Sequence, residues 1–535
     1  MIDTLQILLS LLVVVGAVAV VAKRLEIPSP ILMVAAGIVL ALIPGLPTIE
    51  LAPEFVLLLV LPPLIYSAAV AMSWREFRFN LRPIALLAVG AVVVTTAAVA
   101  AAAHWLLGLP WTVGFVLGAI VSPPDTVAPL AIARRLYIPR RLLVVLEGEG
   151  LANDATALIL YRFAVAAVAT GAFSFPHAVG TFGAIVVGEL AWGLVVGWGM
   201  LRLRRWVGDP RVEILLSILT PYLAFWVPEH LGGSGVLATV TAGLYISWNG
   251  LRLISAATRL QGIFFWDFLV YLIEGLVFVI TGLQTRTLIG QIGDHTTSEL
   301  VTSIVVVSAV VIATRFLWVF PATYVPRWIV PGLAKRDPPP PWQMPFALAF
   351  TGVRGVVSLA AALAIPLTTA SGAPFPNRDL ILLLTFAVIL VTLVGQGLML
   401  PTVIRALGLA HSGRAERRDE RHEEHIARRE ALHAALDRIN EVAAERKLPH
   451  DVVEPLRMRV RDRIRHLEDL SDGDDGHKKL SDLRDSVECL LITTEREHVN
   501  HLFRNGKIKD EARRRIERDL DLREAQLRNA IGDDD

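Results

Sequence analysis

Apolar segments of about 20 residues, the length at which a helix spans a bilayer, recur along residues 1–410. About thirteen such segments can be distinguished by hydropathy. They lie near 5–22, 27–43, 53–72, 83–107, 110–133, 142–170, 176–201, 212–229, 233–247, 261–284, 298–323, 341–367 and 380–404. Because lipid offers the backbone no hydrogen-bond partners, segments of this kind fold as helices. The sequence therefore predicts an all-α polytopic membrane protein in a lipid bilayer.

Charge is distributed very unevenly along the 535 residues, of which 54% are hydrophobic and 19% charged. Soluble domains carry about 25% charged residues. Most charges lie in residues 411–535, so the formal net charge of +1 averages two unlike parts and indicates no nucleic-acid partner. We expect a transmembrane domain over 1–410 and a charged helical tail over 411–535.

Basic residues in the short loops predict the orientation of the spans. Loops after odd-numbered spans are rich in Lys and Arg, as at Lys23, Arg24, Arg134, Arg135 and Arg202. Loops after even-numbered spans, such as PGLPTIELAPE and TGAFSFPH, are poor in them. With an odd number of spans, the N-terminus is expected outside and the tail in the cytoplasm of a multi-pass cell-membrane (inner-membrane) protein.

An odd number of spans also permits two six-span halves of opposite orientation around a linking span. In that arrangement the fifth span corresponds to the twelfth, and the sixth to the thirteenth. Inverted-repeat transporters carry discontinuous helices at corresponding positions of their halves. We therefore expect two inverted repeats with crossed broken helices.

The fifth and twelfth spans contain the strongest helix-breaking signals. The fifth reads WTVGFVLGAIVSPPDTVAPLAIARRL, with Pro124 and Asp125 near its centre. The twelfth reads PFALAFTGVRGVVSLAAALAIP, with Arg354 between two glycines. Proline removes a backbone donor and clashes with the preceding turn. Non-helical backbone at membrane depth is tolerated only inside protein or along a cavity.

Asp154 is a carboxylate in the apolar run of the sixth span, where an ionised group costs roughly 2.5–3.5 kcal/mol. Such a residue indicates an ion or proton pathway. Free carbonyls at the break, the hydroxyls of Ser122 and Thr126, Asn153 and the Asp154 carboxylate together form an all-oxygen set. That set suits a hard cation such as Na⁺.

Several of these segments resemble one known family. GEGLANDATALILY resembles the GESLLNDAxxxVLY signature of the monovalent cation/proton antiporter-1 family, the sodium/proton exchangers. IVSPPDTVAPLAIARRL and FTGVRGVVSLAAALAIP resemble that family's fifth-helix and twelfth-helix patterns, and LPPLIYSAA and LIEGLVFVITGLQ resemble further segments. The resemblance runs in order over residues 55–400 and does not extend to the tail.

The resemblance implies a role for each site residue. Asp154 would bind the transported Na⁺ or the proton, and Asn153 would shape the site and mark the electroneutral branch. Asp125 would stabilise the helix crossing and line the site. Glu149 would form a structural ion pair with Arg354, between spans six and twelve.

The same resemblance implies a transporter that is not an enzyme and needs no cofactor. It would exchange one Na⁺ for one proton by alternating access, for pH and sodium homeostasis. Core helices near 83–170 and 298–404 would move against a scaffold that forms a homodimer. The alternative within transport is a K⁺/H⁺ or broad-specificity antiporter that also accepts Li⁺. A hydrolase using Asp125 and Asp154 as a carboxylate pair is disfavoured, because no hydrolase motif accompanies them.

Three departures from the family pattern leave the preference between Na⁺ and K⁺ open. Gly150 stands where many members have Ser, Ser67 where several have a membrane-embedded Glu, and Pro124 where Thr or Val is usual. Glu274 and Arg315 are further intramembrane charges. They are predicted either to pair with each other or to face water-filled crevices separately.

Most histidines lie in the tail, where their titration near neutral pH could make them cytoplasmic pH sensors. His422 and His425, three residues apart, could also hold a metal ion, although the one cysteine, Cys489, does not accompany them. A helical domain for regulation or dimerisation and a merely solubilising helix are both consistent with this composition.

Overall fold

The computed structural model describes residues 2–25, 27–44, 52–171, 174–250, 253–290, 296–369, 372–471 and 475–531. Within these ranges the chain is helical almost throughout and forms no β-strand, apart from an isolated bridge between Thr368 and Pro374. The predicted all-α class is confirmed.

The helices are numbered α1 to α22 in chain order. The first seven are α1 (Ile2–Leu25), α2 (Ser29–Ala41), α3 (Phe55–Ala71), α4 (Trp74–Phe79), α5 (Leu81–Leu107), α6 (Trp111–Val121) and α7 (Val127–Arg135). The next seven are α8 (Arg140–Thr170), α9 (Phe175–Val207), α10 (Pro210–His230), α11 (Val236–Gly250), α12 (Ala256–Leu283), α13 (Thr285–Gly290) and α14 (Thr297–Ile329). The remainder are α15 (Leu333–Arg336), α16 (Gln343–Phe350), α17 (Val356–Leu363), α18 (Arg378–Ala406), α19 (Leu409–Arg446), α20 (His450–Ser471), α21 (Asp475–Arg504) and α22 (Asp510–Ile531).

Eight of the described helices are long and apolar enough to cross a membrane, and shorter apolar helices lie between them. The apolar helices follow the positions of the apolar segments in the sequence, which confirms a helical, multi-pass membrane fold. The number thirteen and the inverted repeat remain predictions.

Local sequence signals explain where several helices begin and end. Asp209 accepts a hydrogen bond from the backbone of Arg211, with Pro210 as the first helical residue of α10. Thr296 and Glu299 form a capping box at the start of α14. Gly108, in the left-handed conformation that favours glycine, ends α5.

Two predicted helix breaks are present. Helix α6 ends at Val121 and α7 begins at Val127, so the Pro-Pro-Asp segment is non-helical. Helix α16 ends at Phe350 and α17 begins at Val356, which leaves Arg354 in non-helical chain. Both breaks leave backbone groups without helical partners inside the helical bundle.

Glycines allow neighbouring membrane helices to approach closely. A Cβ atom on Gly118 of α6 would lie 2.4 Å from the carbonyl oxygen of Thr96 on α5. A Cβ on Gly193 of α9 would lie 2.3 Å from the carbonyl oxygen of Ala238 on α11. Small residues of this kind are the usual means of tight helix packing in membranes.

The chain divides into two compact units, Met1–Arg414 and Ala415–Asp535. The second unit contains most of α19 together with α20, α21 and α22. Ile492 of α21 and Leu520 of α22 are buried, and Arg496 of α21 bonds to Asp521 and Glu524 of α22. These contacts pair the last two helices of the tail.

Candidate functional site

The two broken helices meet at Asp125. The backbone N–H of Asp125 donates a hydrogen bond of 2.7 Å to the carbonyl oxygen of Val353. The next backbone N–H, that of Arg354, donates to the Thr392 hydroxyl at 3.0 Å. The non-helical segments therefore satisfy part of each other's backbone, and their crossing lies within the first compact unit.

Arg354 compensates the open carbonyl end of α6. Its side chain is buried, and Nε donates to the carbonyl oxygen of Val121 at 2.9 Å. The two terminal nitrogens donate to the carbonyl oxygens of Ser122 (3.4 Å) and Gly352. The carbonyl end of a helix carries partial negative charge, so this guanidinium satisfies both the hydrogen bonds and the dipole of the interrupted helix.

Asp125 compensates the opposite kind of helix end, the N-terminal end of α7, where backbone N–H groups lack helical partners. Its Oδ1 accepts a hydrogen bond of 2.9 Å from the backbone N–H of Val127. A carboxylate at a helix N-terminus is stabilised by the helix dipole. Gly355 is required beside it, because a Cβ there would lie 1.6 Å from Asp125 Oδ2.

Asn153 ties the intact helix α8 to the break in the fifth span. Its Nδ2 donates to the carbonyl oxygen of Pro124 at 2.7 Å, and its Oδ1 accepts from the backbone N–H of Asp154 at the same distance. The side chain is completely buried. The amide is therefore held in one orientation, and a second lone pair of the Pro124 carbonyl remains open.

Asp154 differs from its neighbours in having no side-chain hydrogen bond or ion pair among the residues that the structure describes. It is half-buried, and its negative charge and that of Asp125 repel each other. A desolvated carboxylate without a fixed partner has a strong tendency to take up a cation or a proton. Among three acids near the helix crossing, Glu149, Asp125 and Asp154, only Asp154 has no side-chain hydrogen bond or ion pair in the described chain.

Two hydroxyl groups lie at the same break. Ser122 is buried and donates its hydroxyl proton to the Ala119 carbonyl at 3.1 Å, which leaves its oxygen able to accept. Thr126 packs over Gly150, where a Cβ would lie 2.2 Å from Thr126 Oγ1. Gly150 and Asp154 are four residues apart on α8 and share a face. The Thr126 hydroxyl thus lies against the helix face that bears Asp154.

The predicted ion pair of Glu149 with Arg354 is wrong in its partner. Glu149 is completely buried, and its two oxygens accept from Arg315 Nη1 and Nη2 at 2.5 and 2.9 Å. Arg354 instead uses its donors on backbone carbonyls. Because α14 carries Arg315 into the bundle opposite Glu149, the bidentate pair joins α8 to α14 rather than to the twelfth span.

Arg315 also compensates the end of the second broken helix. Its Nε and Nη2 donate to the carbonyl oxygen of Leu348, near the end of α16, at 3.3 and 3.1 Å. The two buried arginines therefore have the same role, because each donates hydrogen bonds to the carbonyl end of an interrupted helix. Arg354 satisfies the carbonyl end of α6, and Arg315 satisfies that of α16.

The predicted pairing of Glu274 with Arg315 is also wrong, because Arg315 is engaged by Glu149. Glu274 lies half-buried on α12, and no hydrogen bond or ion pair joins it to another residue in the described ranges. The alternative, that the two charges act separately, agrees with this arrangement.

Sequence reasoning missed Glu189, a buried acid in the middle of α9. Its carboxylate accepts backbone N–H bonds from Ser234 at 2.6 Å, Gly235 at 3.1 Å and Leu237 at 3.0 Å. These groups form the N-terminal end of α11, so Glu189 caps that helix from a neighbouring one. The available signal was a lone acid in the apolar run FGAIVVGELAWGLVV.

An ion pair between Arg162 and Glu229 was likewise not predicted. It joins α8, which carries Asp154, to the end of α10, and both side chains are partly exposed. In the part of the chain that the structure describes, no group of three or more His, Cys, Asp or Glu residues could hold a metal ion. Within the described residues, His422 and His425 therefore have no third His, Cys, Asp or Glu beside them that would complete a metal site.

The chain is similar to known families, sequences and solved structures. The family model "Sodium/hydrogen exchanger, transmembrane" matches residues 8–406. An uncharacterised Na⁺/H⁺ exchanger of Mycobacterium tuberculosis is 37% identical over 527 residues, covering 96% of this chain and 94% of the relative. A sodium, potassium, lithium and rubidium/H⁺ antiporter of Bacillus subtilis is 35% identical over 412 residues, covering 75% and 61%.

Among solved structures, the sodium proton antiporter MjNhaP1 of Methanocaldococcus jannaschii matches with a TM-score of 0.60 at 18% identity. The match covers 76% of this chain and 98% of that protein. At this level of identity the match establishes a shared fold.

Proposed function

Because the chain belongs to the sodium/hydrogen exchanger family, we propose that it exchanges one Na⁺ for one proton at Asp154. The main support for the proposal is the difference in hydrogen bonds and ion pairs among the acids around the helix crossing. Glu149 is neutralised by Arg315, and Asp125 is bonded to the start of α7, whereas the Asp154 side chain has no partner among the described residues. Asp154 is therefore the group at which cation and proton compete.

The transported cation would be held by oxygen atoms only. The Asp154 carboxylate supplies the charge, and the Thr126 hydroxyl and the Pro124 carbonyl lie at the same break. Asp125 and Ser122 line the same non-helical segment. Oxygen ligands of this type suit Na⁺, Li⁺ and K⁺ and exclude softer metals.

Exchange of one ion for one proton follows from the number of titrating charges. In this proposal Asp125 keeps its hydrogen bond to the start of α7 in both states, and its charge does not change during exchange. Asn153 is neutral and held by the Pro124 carbonyl. Asp154 then binds either one monovalent cation or one proton, and both occupied forms carry the same charge. Transport by such a site is electroneutral.

Movement of the site between the two sides would occur by alternating access. In this proposal the core comprises α5–α8 and α14–α18, and the remaining membrane helices form a scaffold that also makes the contacts of a homodimer. The Arg162–Glu229 pair joins the two parts. The basic loops support an external N-terminus and a cytoplasmic tail, and exchange in the cell membrane would serve pH and sodium homeostasis.

A K⁺/H⁺ or broad-specificity antiporter is the second candidate. The B. subtilis relative is named for sodium, potassium, lithium and rubidium. Gly150 supports this alternative, because the helix face beside Asp154 contributes no side-chain ligand at that position.

The test is reconstitution of the full chain in liposomes that contain a pH-sensitive dye, with pulses of Na⁺, Li⁺ and K⁺. Wild-type protein should move protons in response to Na⁺, with a rate that does not change when a membrane potential is imposed. Asp154→Asn should abolish the signal. Asp379→Asn, at an exposed position in the first turn of α18, is the matched control and should retain it.

Proton movement by Asp154→Asn at the wild-type rate would overturn the assignment of Asp154. A rate that depends on the imposed potential would overturn the one-for-one stoichiometry. A larger response to K⁺ than to Na⁺ would favour the second candidate.

A further inference from the structure

Asp337, between α15 and α16, is surrounded by three arginines from three different helices. Its Oδ1 accepts from Arg141 at 2.7 Å, and its Oδ2 accepts from Arg327 at 2.8 Å and also from Arg82. These arginines lie at the ends of α8, α14 and α5. All three helices belong to the proposed core and end here on one side of the bundle.

Positive charge exceeds negative charge at this cluster. Burial acts to raise the pKa of Asp337, but the hydrogen bond and charge of Arg141, with those of Arg327, outweigh it and hold the pKa below its ordinary value of 3.8. One carboxylate thus faces three guanidinium groups. The nearby acids Glu76 and Glu147 are engaged by other arginines, so they do not supply the missing charge.

Arg82 has unused donors. Its Nε and Nη1 are inaccessible to solvent and have no hydrogen-bond partner in the described chain. Buried donors are almost always satisfied in folded proteins, so the Arg82 guanidinium is incompletely paired although its Nη2 bonds to Asp337. Arg82 therefore adds positive charge to the cluster that its bond to Asp337 does not fully compensate.

A pocket opens next to these arginines. Arg141 and Arg327 contribute to its wall, and the rest of the wall is largely apolar. Apolar lining is provided by Pro83, Val145, Ala322, Met344 and Leu348. Trp328 and Trp342, at the neighbouring ends of α14 and α16, are strongly exposed. Exposed tryptophans at helix ends mark the level of the membrane–water interface.

We propose that this pocket, the Asp337 pocket, binds an anionic phospholipid. The headgroup phosphate would accept from Arg141 and Arg327, which line the pocket, and the upper part of an acyl chain would lie along the apolar wall. Basic pockets between membrane helices bind acidic lipid headgroups in this way. A free phosphate ion would use the same donors, but it would leave the apolar wall uncovered, so the lipid fits the whole pocket.

Binding would be measured on the purified full-length chain in detergent, as the rise in its thermal unfolding midpoint. The ligands are dioctanoyl phosphatidylglycerol, dioctanoyl phosphatidylcholine and inorganic phosphate. Because a ligand that binds only the folded state raises the midpoint, phosphatidylglycerol should raise it at concentrations at which the other two do not.

Arg141→Gln should weaken the phosphatidylglycerol response by about tenfold in concentration, since charge-assisted bonds to phosphate are lost. Arg202→Gln, at an exposed basic position near the end of α9, is the matched control and should respond like wild type. Arg327→Gln, at the other arginine of the pocket wall, provides a second variant if Arg141→Gln does not fold. Native mass spectrometry of the wild-type protein should show one retained phosphatidylglycerol.

An equal response to inorganic phosphate would assign the site to the free ion and overturn the lipid proposal. An equal loss in Arg202→Gln would show general surface attraction, which also overturns it. An unchanged response to phosphatidylglycerol in both pocket variants would also overturn the lipid proposal. None of these readouts depends on transport, so failure here is distinguishable from failure of the antiport assignment.

Discussion

Glu149 and Asp154 lie little more than one turn apart on the same membrane helix, α8, yet they have opposite surroundings. Glu149 is completely buried and bonded through both oxygens to Arg315. Asp154 is half-buried beside the unwound crossing, and no described side chain is paired with it. Residue type and membrane depth are similar, so the difference arises from what the neighbouring helices present to each acid.

The comparison distinguishes an acid that stabilises the fold from an acid that can exchange its bound ion. A buried ion pair with good geometry keeps its partner, because removal of either residue leaves the other as an uncompensated buried charge. An acid without a partner can be neutralised by whichever ion reaches it. An intramembrane carboxylate therefore indicates function only when neither a fixed cation nor a helix N-terminus satisfies it. Glu149 is bonded to Arg315, and Glu189 is bonded to the backbone N–H groups at the start of α11.

The largest expected effect is on stability at the structural acid. Arg315→Gln should destabilise the fold by about 3–5 kcal/mol, because Glu149 is left buried and unpaired. Asp154→Asn should leave stability nearly unchanged, since it removes no described side-chain contact. Thermal unfolding in one detergent checks both variants. Equal destabilisation would show that Asp154 is also structural and would remove the contrast between the two acids.

A second test concerns the face of α8 that Gly150 and Asp154 share. Gly150→Ser should lower transport by about tenfold or more, because its side chain would displace Thr126, a proposed ligand of the cation. Thr126→Ala in the same chain makes room and should recover much of the loss. Gly199→Ser, on the open face of α9, is the control. A double variant no better than the single one would contradict direct packing of Thr126 on this face.

Asn153→Asp tests whether charge number at the site sets the stoichiometry. The change adds a carboxylate beside Asp154, so transport should become sensitive to an imposed membrane potential. It also removes the donor to the Pro124 carbonyl and should cost about 1–3 kcal/mol. Asn153→Ala controls for the lost bond, since it removes the same donor without adding charge. Voltage-independent exchange by a folded Asn153→Asp protein would contradict the proposed charge balance.

The smallest effect is expected at Asp337, a third acid that lies outside the membrane helices. Its folded-state pKa is lowered, so its stabilising effect is fully present above the ordinary value of 3.8 and is lost as pH falls below that value. The difference in unfolding midpoint between wild type and Asp337→Asn should therefore stay constant through the neutral range. A difference that changes near neutral pH would contradict permanent ionisation of Asp337.

The helix breaks could be predicted because their causes are local. Two successive prolines, Pro123 and Pro124, remove two backbone donors and lie within a non-helical segment. The single prolines Pro221 and Pro321, by contrast, lie inside α10 and α14.

The partner of Glu149 could not be predicted in the same way. Arg315 and Arg354 are both arginines at membrane depth, and the choice between them depends on how α14 and the non-helical segment between α16 and α17 lie against α8. Glu189 was missed for a related reason, since the helix end that it caps belongs to another part of the chain.

The sequence by itself determined that the chain is a helical membrane protein, where two of its helices break, and which residues carry charge at membrane depth. These properties follow from hydropathy and backbone chemistry, which act within a few residues. Only the tertiary structure decided which charges are neutralised. Arg315 pairs with Glu149, and Arg354 donates to the carbonyl end of α6. No described side chain pairs with Asp154. Pairing depends on side chains that lie far apart in the chain, and helix packing alone brings them within hydrogen-bond distance.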